Sequence, residues 1–175
     1  MLNTIEEALT ELRAGRPVLV TDDADRENEG DAILAAELAE PCWVGWMVRH
    51  TSGYLCAPMT EERADQLGLP LMWPTSQDPL RTRYTVAVDA ARGITTGIDA
   101  AQRARTARVL ADAASTPTDL VRPGHVLPLR ARAGGVLDRR GHTEAAVDLA
   151  RLAGLEPVGL IGELVGDDGM CLRAD

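Results

Sequence analysis

Lysine and phenylalanine are both missing from the 175 residues, and every one of the 18 basic positions is arginine. Without lysine, catalysis through a lysine Schiff base is excluded, as is a phosphate loop whose lysine reaches a bound nucleotide. Aromatic residues make up only 3% and the formal net charge is −9. Stacking platforms and a basic footprint are therefore both lacking, and nucleic acid is not an expected partner. Cysteine is scarce and scattered: Cys42, Cys56 and Cys171 are odd in number and form no C-x-x-C pair, which suits a reducing compartment rather than a zinc or redox motif. No apolar run is long enough to span a bilayer, and Met1–Arg16 carries three glutamates where a signal peptide would have an apolar core. The expectation is a cytoplasmic protein with no membrane partner.

At this length one compact domain, residues 1–175, is expected to bury a sufficient core. Thr4 and Glu7 have capping-box spacing, and Ile5, Ala8, Leu9 and Leu12 repeat on one helical face, which predicts a helix over 4–14 ended by Gly15. A buried strand is predicted at 17–21 and an apolar run at 32–36, with ten very polar residues between them. Further along, the pattern predicts a helix at 41–50, a strand at 54–59, a short helix from Glu61 and an irregular proline-rich stretch at 70–83. A strand at 84–89, a helix at 100–113 stopped near Pro117, extended chain at 125–131 and a helix at 143–153 ended by Gly154 follow. The last elements are predicted to be a hairpin of 158–165 with 170–173 around Gly166–Gly169. Interleaved strands and helices without strict βαβ order point to an α+β domain with a mixed sheet flanked by helices.

Two constellations carry chemistry. The loop Asp22–Asp31 holds six carboxylates around Arg26. Such oxygens suit a hard divalent cation that shares its shell with water and substrate, although a solvated acidic turn has the same composition. Arg139–Glu144 stands just before the helix predicted at 143–153. Arginines with free N–H groups at a helix start attract phosphate, and His142 can serve there as ligand or proton carrier; simple capping by Thr143 and Glu144 with a solvated His142 is the alternative. Glu163 interrupts an apolar strand, which is costly unless it is paired or functional, so it is a candidate base. By default His125 is a structural histidine at a strand start, His50 a helix C-terminal partner, and Cys56 a small buried hydrophobe.

Taken together, Asp22–Asp31, Arg49–Cys56, Thr95–Gly97, Arg122–Leu129 and Gly141–Ala145 resemble, in order, the motifs of 3,4-dihydroxy-2-butanone 4-phosphate synthases of riboflavin biosynthesis. The resemblance implies an α+β fold and a homodimer with the active site at the subunit interface. It also implies two Mg²⁺ or Mn²⁺ ions per site and D-ribulose 5-phosphate as the small-molecule sugar phosphate substrate. The implied products are L-3,4-dihydroxy-2-butanone 4-phosphate and formate. Glu27 and His142 match the family's metal ligands. Arg26, Glu27, Asp31, Arg139, Arg140, Gly141, His142 and Thr143 match its substrate-binding positions, with Thr106 in a segment expected to help hold the phosphate. His125 and Glu163 match positions essential for catalysis, and Glu29 and Cys56 match residues lining the site. Asp99, Gln102 and Arg105 differ from the usual family residues, as does the loop 73–83 with Arg81 and Arg83. A paralogue acting on another sugar phosphate is compatible with those changes; a non-catalytic sugar-phosphate or metal binder is the alternative from a different class.

Overall fold

The structure, a computed structural model, describes residues 2–173. Helix α1 spans Ile5–Arg13 and starts with the capping box: the Thr4 hydroxyl accepts from the Glu7 N–H while the Glu7 carboxylate accepts from the Thr4 N–H. Strands β1 (Val18–Thr21) and β2 (Gly30–Ala35) then form an antiparallel pair around the acidic loop. Pro41 takes the first turn of α2 (Pro41–His50), where its missing N–H costs nothing. After β3 (Cys56–Met59) come α3 (Glu61–Gln66) and the short β4 (Val88–Ala90). Next are α4 (Ala100–Ala111), the long β5 (Leu120–Arg130), α5 (His142–Leu152) and β6 (Gly159–Glu163).

The six strands make one mixed sheet in the order β1-β2-β6-β3-β5-β4, in which only β3 and β5 run parallel. Helices cover both faces. Successive strand residues point to opposite sides, so Ile33, Cys56, Leu127 and Ile161 pack with Leu12, Ala146 and Leu149 of α1 and α5. Ala32, Leu34, Ala57 and Leu160 pack instead with Val44 and Met47 of α2 and Ala104 and Leu110 of α4. Every residue of β2 is buried as a result, Asp31 included. A core without phenylalanine is closed by leucine, methionine and many alanines, which let α2 and α4 approach; Gly45 faces the Ala100 methyl. Arg63, itself buried, donates from Nε to Leu110 O at 2.9 Å and caps the end of α4.

Five sequence expectations are corrected. The strand predicted at 84–89 becomes β4 only from Val88, because Tyr84 and Thr85 make isolated bridges to Leu129 and Leu71 and the register with β5 shifts between Val88 and Asp89. The strand predicted at 54–59 begins at Cys56, and α4 ends at Ala111 with Asp112 as its cap rather than at Ala113. The terminal hairpin is present but shorter than predicted: one bridge, Val165 with Cys171, is flanked by bonds from Leu172 N to Leu164 O and from Gly166 N to Met170 O, and the Leu172 carbonyl accepts from Gly30 N. His125 stands within β5, not at its start.

The three unusual positions before and within α4 all have structural partners. Asp99 caps the helix by accepting from Gln102 N at 2.9 Å. The Gln102 Oε1 accepts from the N–H groups of Thr95 and Gly97, both at 2.7 Å, which ties the 95–97 turn to the helix. Arg105 donates to the Arg92 carbonyl.

Candidate active site

The acidic loop is organised by Asp22, whose side chain is almost fully buried. Its carboxylate accepts from the N–H groups of Glu27 and Glu29 at 3.0 and 2.9 Å and from Arg26 Nη1 at 2.7 Å. Burial alone would raise the Asp22 carboxyl, but these donors outweigh it and hold it below the ordinary range. Arg26 also pairs with Glu27. Even so, burial dominates for Glu27 and pushes its carboxyl up.

Asp31 and Glu163 are direct partners in the β2–β6 ladder, so both project on the α5 side of the sheet. Burial, followed by the charges of Glu163, Glu27, Glu29 and Asp22, pushes Asp31 up to about 8. The Glu163 Oε2 accepts from Ser52 Oγ at 2.7 Å, and its main-chain carbonyl accepts from Ser52 N at the same distance.

Helix α5 brings its N-terminus over this pair. Gly141 is its cap residue and no side chain caps it, so the alternative in which Thr143 and Glu144 settle the helix start and His142 is solvated does not hold. His142 is buried, with Nδ1 3.2 Å from Asp31 Oδ1 and 4.0 Å from Glu27 Oε2. Burial lowers its imidazole below the ordinary value despite nearby Asp22. Gly141 leaves room for the arginines: a Cβ there would push the Arg139 guanidinium aside and lie 3.0 Å from Arg26 Nη2. Arg139 is engaged throughout, donating to Glu144 Oε2 at 2.7 Å, Thr82 Oγ1 at 2.9 Å and Leu80 O at 3.1 Å. Arg140 is exposed and reaches Asp23 at 3.4 Å.

Among the described residues, no group of three or more His, Cys, Asp or Glu side chains already stands at metal-holding geometry. The donor set nevertheless fits a hard divalent cation. Asp31 Oδ1 and His142 Nε2 are buried without hydrogen-bond partners, and crowded carboxylates that burial disfavours are the environment a cation relieves. The 4.0 Å between Glu27 Oε2 and His142 Nδ1 is within the reach of one ion whose ligands lie at about 2.1 Å.

Glu27, Asp31, His142 and Glu163 are thus brought together, with Arg26 and Gly141 beside them. Cys56 pairs with Ile161 on the same face, two residues along β6 from Glu163. Burial, with the charges of Glu163 and Asp31, pushes its thiol far up, which leaves it protonated. His125 shares the sheet face two strands from Glu163, about 10 Å away by strand spacing. Thr106 is not brought to the cluster: it is fully buried, donating to Gln102 O at 3.1 Å and accepting from Ala90 N at 3.0 Å. Sequence reasoning passed over Ser52 and Asp89, which hold Glu163 and His125, and gave Glu144 only a capping role, whereas it holds Arg139. Ser52 lay inside a motif already singled out, whereas Asp89 carried no local signal.

A family model described as 3,4-dihydroxy-2-butanone 4-phosphate synthase matches residues 6–175. Riboflavin biosynthesis protein RibBA of Salinispora arenicola is 64% identical over 170 residues, covering 97% of this chain and 40% of the relative. The protein of the same name from Nocardia farcinica is 59% identical over 175 residues, 99% of this chain and 42% of the relative. The chain therefore spans about two-fifths of the length of these curated relatives. Among solved structures, a 3,4-dihydroxy-2-butanone 4-phosphate synthase of Candida albicans superposes with a TM-score of 0.91 at 52% identity, covering 99% of this chain and 86% of that one. Another, in complex with two magnesium ions, superposes at 0.92 with 47% identity and coverages of 99% and 82%. With a matched span from residue 6 to 175 and the acidic loop, paired strands and helix start in their places, the chain belongs to the 3,4-dihydroxy-2-butanone 4-phosphate synthase family.

Proposed function

We propose that this chain is a divalent-metal-dependent carbon–carbon lyase that converts D-ribulose 5-phosphate into L-3,4-dihydroxy-2-butanone 4-phosphate and formate. The observation that carries the proposal is the meeting of Glu27, Asp31 and His142 beneath the uncapped start of α5. The two products contain all the atoms of the substrate, so no co-reactant is needed.

In this reading Glu27 and His142 hold Mg²⁺ or Mn²⁺, two ions per site. Bound there, the metal would supply Lewis-acid polarisation of the substrate ketone. The N–H groups at the start of α5, flanked by Arg26, Arg139 and Arg140, take the phosphate, with Gly141 and Thr143 contributing main chain. Asp31 orients the substrate hydroxyls. Glu29, Glu163 and His125 move protons among the carbons being rearranged, and several groups of different basicity suit a reaction with repeated proton transfers. Cys56, protonated and buried, lines the floor of the site.

Water exclusion falls to the loop 73–83, which Arg139 ties to α5 through Leu80 and Thr82 and which Arg83 ties to Glu61 of α3 at 2.6 Å. The reading includes a cytoplasmic homodimer with the site at the subunit interface; a part-exposed His125 ring supports a covering partner. No helix among the described residues is long and apolar enough to cross a membrane.

The test is incubation of the purified chain with D-ribulose 5-phosphate, with and without Mg²⁺, following formate and the four-carbon phosphate. Metal-dependent release of both is the expected outcome. Metal-independent formate, or none at all, overturns the proposal, and other pentulose phosphates then become the substrates to try.

A further inference from the structure

His125 does not stand alone. Its Nδ1 lies 2.7 Å from Asp89 Oδ2, and its main-chain N–H donates to Asp89 Oδ1 at 3.0 Å, so one carboxylate grips both the ring and the backbone of the same residue. The Asp89 side chain is only 5% exposed, whereas the His125 ring is 40% exposed. The carboxylate is inside and the imidazole opens outward. The β4–β5 ladder jumps from Val126 opposite Val88 to Val121 opposite Asp89, so residues 122–125 of β5 bulge out of the pairing and His125 lies against the Asp89 side chain.

A lid closes this pair from the side. Gly97, at φ +86°, packs so tightly that a Cβ would collide with the Asp89 carboxylate and lie 2.8 Å from His125 Nδ1. The turn that carries Gly97 is itself fixed by Gln102. Water is thereby kept from the Nδ1 side of the ring, and an ionised carboxylate can only accept, so Nδ1 carries the proton and donates.

We infer that Asp89 is a positioning residue for catalysis: it holds His125 as the Nδ1–H tautomer, with an unprotonated Nε2 aimed away from the sheet toward substrate. In that state the Nε2 lone pair can take a proton from a substrate carbon or hydroxyl, and the resulting imidazolium, stabilised by Asp89, can return it to product. The inference rests on the lyase reading for its catalytic consequence. The tautomer itself does not depend on that reading.

The experiment has two arms. Long-range ¹⁵N–¹H spectra of the intact ¹⁵N-labelled protein resolve the three histidines, with His125→Asn assigning the His125 ring. The expected pattern is protonated Nδ1 and bare Nε2 in the wild type, lost in Asp89→Asn; an Nε2–H ring in the wild type, or an unchanged pattern in the variant, overturns the inference. In the second arm, kcat of Asp89→Asn for formate release falls about 10²-fold or more with KM held within about twofold. Asp89→Glu recovers part of the loss, and Asp89→Asn adds nothing in a His125→Asn background. Additive losses in the double variant overturn it, and so does a wild-type rate in Asp89→Asn. Should Asp89→Asn fail to fold, the wild-type spectrum and Asp89→Glu still decide. A wild type that releases no formate would defeat the lyase reading while leaving the spectroscopic arm to decide the role of Asp89.

Discussion

Arg139 donates to the Glu144 carboxylate at 2.7 Å across the first turn of α5, and Glu144 is only 1% exposed. The same carboxylate accepts from Arg132 N at 3.0 Å, so one buried group joins the helix start to the chain leaving β5. Because Arg139 also holds Leu80 and Thr82, the pair couples the site to the loop over it.

Replacing Glu144 with alanine leaves a mostly buried guanidinium uncompensated. The expected cost is about 3–5 kcal/mol, measured by urea denaturation, with faster amide exchange in 78–82. Glu144→Gln, which keeps a hydrogen-bond acceptor, loses less. Equal stability of Glu144→Ala and wild type would remove this coupling from the account.

Glu27→Ala and His142→Ala each lower Mn²⁺ affinity by about 10²-fold or more, since loss of a ligand exceeds the 10- to 100-fold typical of losing a ligand's supporting contact. Electron paramagnetic resonance of free Mn²⁺ reads this without any turnover. Glu163→Gln, whose carboxylate bonds Ser52, keeps Mn²⁺ affinity within about threefold by the same comparison but loses formate release. Strong Mn²⁺ binding by both ligand variants would move the metal elsewhere.

Two glycines separate steric from conformational demand. A Cβ at Gly124 would collide with the main chain of Val88 and Asp89, which no rotamer change relieves, so Gly124→Ala is expected to cost about 3 kcal/mol or more. Gly154 has open space around it and φ +75°, so Gly154→Ala pays only the left-handed backbone penalty of about 1–2 kcal/mol. Thermal denaturation of the two variants checks the order.

The thiols differ by burial. Cys42 and Cys171 are exposed and Cys56 is buried with its thiol held up by desolvation. A thiol reagent at pH 8 is expected to label two cysteines promptly and the third only after unfolding. Prompt labelling of Cys56 would mean that its environment is open.

Helices whose ends carry their own chemistry were legible before folding. Pro41 opens α2 and the predicted range 41–50 is the observed one; Thr4 and Glu7 make the capping box their spacing announces. The strand predicted at 84–89 and the terminal hairpin were less so. Alternation reports which face is buried, not where a partner strand begins: continuous pairing with β5 starts only at Val88, and the terminal hairpin keeps a single bridge. In the site, the acidic loop and the Gly141–Glu144 run were visible because their residues are neighbours in the chain. Asp89 was not, because it meets His125 from 36 residues away.

Residue chemistry and local helical signals are thus written in the linear chain: no lysine for imine chemistry, carboxylates and a histidine for a hard cation, arginines and a helix start for phosphate. Which carboxyl resists ionisation, which ring nitrogen keeps its proton and which arginine is free belong to the folded molecule. Asp31 is pushed up to about 8 because β2 is covered on both faces and β6 sets Glu163 opposite it. Desolvation and like-charge repulsion depend on distance in space, and folding alone sets those distances.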